Sequence, residues 1–127
     1  DSGSMIIYAH NMKNGTMFGE LDEYESEDYR NKHSVLEFYT PDESRQYEIF
    51  AAFRTELVYE NQEGFRYYEY VGDMTEERFD EFMNQLRQHS FYNTESWPEY
   101  GDQLIILSTC SYYTENGRFV VVARRVE

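Results

Sequence analysis

Two apolar runs, Leu104 to Leu107 and Phe119 to Ala123, constrain this chain more than any other feature of it. Neither alternates apolar with polar residues, so neither suits a sheet face that meets water; each needs cover on both sides. Both are too short for a helix and rich in Ile, Leu and Val, and Asn116-Gly117 stands between them as a turn. The runs therefore predict adjacent strands, Gln103 to Thr109 and Arg118 to Val126, at the centre of the fold. A chain of 127 residues suits a single modest core, and no repeat, low-complexity tract or linker divides it. The expectation is one domain over 1–127, mainly β with peripheral α.

The remaining segments supply weaker strands and short helices. Met5 to Tyr8 reads as a strand that runs into Ala9-His10-Asn11, and Asn14-Gly15 as a turn. From Met17 to about His33 the pattern is helical but broken: Phe18, Leu21 and Tyr24 recur at three-residue steps, and Ser26 offers an N-cap for a second short helix through Tyr29. Ser34 to Tyr39 alternates, Pro41-Asp42 turns, and Gln46 to Phe53 resumes with Tyr47, Ile49, Ala51 and Phe53 on one face, which predicts a hairpin. Phe65 to Val71, with tyrosines at both parities, is a weaker strand. Asp73 to about His89 is the clearest helix, with Asp73 and Glu76 spaced as a capping box and Phe79, Phe82, Met83 and Leu86 forming one apolar stripe.

Charge narrows the partners. A formal net charge of −14 repels phosphate backbones and anionic headgroups, so nucleic acid is not an expected partner. The acidic run Glu20 to Asp28 lacks the glycine and spacing of a calcium-binding loop and reads as a solvated face. No run approaches the roughly 18 apolar residues that span a bilayer, and no signal peptide is visible. The single cysteine, Cys110, excludes an intramolecular disulfide. Such a thiol is either a small buried hydrophobe or a nucleophile, and composition does not choose between them.

Three reactive types stand at predicted strand ends: His10, Cys110 and Arg118. A thiol becomes a useful nucleophile beside a base or an imidazolium. Attack on an amide creates an oxyanion, and a guanidinium can donate to it. The types needed for acyl transfer are present, although each alone is more often structural. His10 and Cys110 show no metal-ligand spacing, and neither a glycine-rich phosphate loop nor a nucleophile elbow occurs.

The local sequences decide more than the types. Ile6-Ile7-Tyr8-Ala9-His10-Asn11-Met12, followed by Gly15-Thr16-Met17-Phe18, resembles the histidine motif of class B sortases. Leu107-Ser108-Thr109-Cys110 resembles their cysteine motif, and Asn116-Gly117-Arg118-Phe119-Val120-Val121 is similar to the strand that carries their arginine. The three occur in the family's order, Tyr47-Glu48-Ile49-Phe50-Ala51 also reads like a sortase strand, and the helix at 73–89 resembles the helical insertion of class B. Ala9 stands where the family commonly has Gly.

The resemblance implies the closed sortase β-barrel with peripheral helices, incomplete at its N-terminus because the chain starts almost at the histidine segment. It implies a cysteine transpeptidase that cleaves a C-terminal sorting signal after Thr and passes the acyl group to a peptidoglycan precursor amine. Cys110 is then the nucleophile, His10 the acid/base partner and Arg118 the oxyanion donor, with Ser108 and Thr109 as substrate-binding residues. No metal or organic cofactor is implied, and the expected location is the extracellular face of the bacterial membrane, the anchor lying outside this chain. Two other readings stay open. One is a pilus-assembling sortase whose nucleophile is a pilin lysine; the other is a silent fragment that binds a partner or self-associates into a homo-oligomer through exposed strand edges.

Overall fold

The computed structural model describes residues 3–9, 23–39, 41–56, 65–95, 97–110 and 117–126. Its elements run β1 (Gly3–Ala9), α1 (Glu27–Lys32), β2 (Val35–Tyr39), β3 (Ser44–Glu56), α2 (Glu76–His89), β4 (Gln103–Cys110) and β5 (Gly117–Arg125). They form one sheet of order β1-β4-β5-β3-β2, parallel between β1 and β4 and antiparallel elsewhere. The two apolar runs thus become β4 and β5, with β5 at the centre as expected of a strand buried on both faces. Among the described residues the sheet is open, with β1 and β2 as its edges, as an incomplete barrel would be.

Each face of the sheet carries its own core. On one lie Phe50, Ala51, Phe53, Leu104, Ile106, Val120 and Val122, covered by α2 and by Phe65, Tyr67 and Tyr70. On the other lie Tyr47, Ile49, Ala52, Ile105, Leu107, Phe119, Val121 and Ala123, covered by Tyr24 and Tyr92 with Tyr29 at the margin. The alternation along β4 and β5 divides cleanly between the two, as a strand's two-residue period requires.

Helix α2 forms as its stripe predicts: Phe79, Phe82, Met83 and Leu86 are buried, with Tyr70 stacked on Phe82 at 4.6 Å. Its cap differs from the expectation. Thr75 takes the N-cap, its Oγ1 accepting from the Arg78 N–H at 3.1 Å. Asp73 is drawn away because Gly72 before it pairs with Ser4 of β1 through two backbone hydrogen bonds of 3.0 and 2.8 Å. Glu76 and Glu77 in the first turn and Arg87 and His89 in the last suit the helix dipole. The Ser26 cap is found as expected, its Oγ accepting from the Tyr29 N–H at 3.3 Å at the start of α1.

Two expectations are corrected. Residues 65–71 form no strand: Tyr67–Glu69 is a 3-10 turn, and Phe65, Tyr67 and Tyr70 point into the α2 side of the core. Lacking a two-residue alternation, the segment packs its rings instead of joining the ladder. The hairpin of β2 and β3 forms, but Ala51 and Phe53 do not share a face with Tyr47 and Ile49. A β-bulge between Ile49 and Ala51 inserts an extra residue against β5 and reverses the parity. Arg30 of α1, buried at 8% exposure, supports that bulge: its Nε and Nη2 both donate to the Ile49 carbonyl, at 2.9 and 2.7 Å.

Candidate active site

Three strand ends meet at one end of the sheet. Ala9, the last residue of β1, is in register with Thr109. Cys110, the last of β4, is paired directly with Arg118 of β5, and Arg118 in turn with Thr55 of β3. Directly opposed residues of an antiparallel ladder have Cα atoms about 4.5–5.5 Å apart, so the backbone sets the cysteine and arginine positions side by side. His10 follows Ala9 in the chain and lies outside the described residues.

Arg118 is half-buried, on the sheet face shared by Val120, Val122 and Phe53. Its Nη1 donates to the Gly117 carbonyl at 2.8 Å, which holds the guanidinium close to the start of β5. Arg54 of β3, in register with Phe119 beside Arg118, belongs to the other face. It pairs with Glu25 and lies over the Phe119 ring at 5.1 Å and the Phe91 ring at 5.9 Å. The parity reversal at the bulge causes this division: it puts Phe53 and Thr55 on the Arg118 side and Arg54 opposite.

The two expected substrate-binding residues lie at this end of β4 but on opposite faces. Ser108 is 1% exposed and its Oγ is 2.6 Å from the Tyr67 hydroxyl. Thr109, also 1% exposed, is paired with Phe119, and its Oγ1 has no hydrogen-bond partner among the described residues. Both hydroxyls are covered by protein, so the structure does not bring them to one surface.

The sequence reading missed the aromatic wall beside Ser108. Phe53 meets Tyr67 edge-on at 5.7 Å and Phe65 at 5.3 Å, and the His89 ring lies 4.9 Å from Phe65. No local signal reveals it, because Tyr67 reaches Ser108 across 41 residues of sequence. Among the described residues no group of three or more His, Cys, Asp or Glu side chains is placed to hold a metal ion. None of their helices is long and apolar enough to cross a membrane. A cysteine position directly opposite an arginine position in the ladder, with the strand that leads to His10 in register on the other side, places together the residue types suited to nucleophilic attack with stabilisation of an oxyanion.

Comparison with known proteins shows the family and the fold. The sortase domain model matches residues 1–126. The Sortase B of Listeria monocytogenes is 32% identical over 123 residues, which is 95% of this chain and 47% of that protein. Staphylococcus aureus sortase B has been solved in a substrate complex, and a sortase B has been solved in complex with triglycine. Both structures superpose with a TM-score of 0.79 at 25% identity over 98% of this chain, and over 55% and 56% of theirs. The sortase B from the type II pilus of Streptococcus pneumoniae gives a TM-score of 0.79 at 27% identity over 98% of this chain and 67% of its own. The chain thus spans about half the length of the Listeria relative. It belongs to the sortase family, and the relatives named here are class B sortases.

Proposed function

We propose that this protein is a class B cysteine transpeptidase acting at the extracellular face of the bacterial membrane. The Cys110 thiolate attacks the threonyl carbonyl carbon of a sorting signal, and the guanidinium of Arg118 donates to the oxyanion that forms. The C–N bond then breaks, the His10 imidazolium gives its proton to the departing amine, and a thioester remains on Cys110. A cell-wall amine attacks the thioester, His10 takes its proton, and the C–S bond breaks to release the thiolate and a new amide.

The observation that carries the reading is the direct pairing of Cys110 with Arg118 at the end of β4 and β5, with β1 in register beside them. The substrate complex of the Staphylococcus aureus protein and the triglycine complex of a sortase B support a peptide donor and an amine acceptor. The pneumococcal likeness favours a second acceptor, a pilin lysine. Competition between triglycine and a lysine-bearing pilin peptide for the acyl group separates the two. The primary test is cleavage of sorting-signal peptides by the protein and by Cys110→Ala. Cleavage lost in a folded variant is expected; cleavage retained by Cys110→Ala refutes the mechanism. A wild-type protein that cleaves none of them supports instead a silent partner-binding role.

A further inference from the structure

Tyr67 and Ser108 form a buried hydroxyl pair that the chemistry above leaves unused. Each is 1% exposed, and their oxygens are 2.6 Å apart. Tyr67 sits in the 3-10 turn of Tyr67–Glu69, where its ring packs edge-on against Phe53 and Phe65. Ser108 stands two positions before Cys110, and its ladder partner Val120 stands two positions after Arg118. The bond therefore fastens the reactive end of β4 to the aromatic layer packed on α2. Strand ends open more readily than strand centres, so a single buried cross-link there has leverage on register.

Resting on the acyl-transfer reading, we propose that Tyr67 is a positioning residue: its hydroxyl holds Ser108 so that Cys110 keeps its place opposite Arg118. The burial of Ser108 fits this role as the residue stands, whereas direct contact with substrate requires the side chain to be uncovered first.

The test is a double-mutant cycle on the whole protein with Tyr67→Phe, Ser108→Ala and the pair, reading kcat and KM for peptide cleavage beside unfolding in urea. Removing either hydroxyl breaks this 2.6 Å bond and takes a partner from a buried hydroxyl, so both single variants lose stability. Each is also expected to lose on the order of ten- to a hundredfold in kcat, the effect of a misplaced reacting group, with KM within about twofold. The double variant decides the matter. With both hydroxyls absent its stability returns towards wild type, while a positioning role keeps kcat low. Recovery of kcat together with stability overturns the proposal, as does a rise in KM alone, which assigns Ser108 to substrate contact. Should Tyr67→Phe fail to fold, the split between kcat and KM in Ser108→Ala decides. A wild-type protein that forms no acyl-enzyme overturns the acyl-transfer reading itself, and the positioning role with it.

Discussion

Replacing Arg30 by Leu is the sharpest test of how the fold sets the face of the site. The guanidinium gives two hydrogen bonds to the carbonyl of Ile49, a residue with no exposed surface, at the bulge that reverses the parity of β3. Glu48 lies 3.9 Å from Nη2 and is itself partly solvated, so that ion pair adds little. Losing a charge-assisted bond costs about 1.5–3 kcal/mol, and a carbonyl left buried and unpaired costs about 1–3 kcal/mol. The two figures describe one loss seen from either end and overlap, while the leucine recovers some apolar burial. A net fall of about 2–4 kcal/mol is expected. For a domain of this size it lowers Tm by roughly 6–15 °C. Urea unfolding followed by Trp97 fluorescence and by circular dichroism measures it. Arg30→Lys keeps the charge without the two-pronged donor and falls between wild type and Arg30→Leu. A leucine variant within about 0.5 kcal/mol of wild type, the range of ordinary surface changes, refutes the reasoning and means that the bulge stands without the arginine.

Two further predictions concern the site and the opposite core. Arg118→Lys is expected to lower kcat/KM for peptide cleavage by about a hundredfold or more with little change in stability, because an ammonium does not reproduce the planar donor fork; near-normal turnover removes Arg118 from the chemistry. Burial pushes the Tyr92 hydroxyl well above the ordinary tyrosine range, and that hydroxyl donates to the Tyr24 carbonyl at 2.9 Å. The unfolded chain then releases this proton first as pH rises, so stability is full below about pH 10 and falls above it. Tyr92→Phe is less stable at neutral pH but flatter in the alkaline range, and an unchanged alkaline slope in urea titrations counts against the burial argument.

The sequence was most informative where one local rule decided the outcome. The unbroken apolar runs of β4 and β5, the stripe of α2 and the Ser26 cap each follow from the period or chemistry of a few neighbouring residues, and each is found. What local rules miss is set by contacts distant in sequence. The parity of Ala51 and Phe53 turns on a bulge supported by Arg30, some twenty positions away. The cap of α2 moved to Thr75 because Gly72 was engaged by Ser4. At the site, the order of the motifs was legible, and the ladder sets Cys110 beside Arg118. The burial of Ser108 against Tyr67 was not, since nothing near Ser108 announces a tyrosine from another segment.

The central claim is that Cys110 carries an acyl group cut from a sorting signal and gives it to an amine. Intact-mass spectrometry of the protein after incubation with a small library of sorting-signal peptides tests it most directly. The account predicts an adduct of the mass of the peptide's N-terminal fragment, mapped to Cys110, absent in Cys110→Ala and discharged by added triglycine. A thiol that stays open to a small alkylating reagent yet takes up no peptide fragment contradicts it.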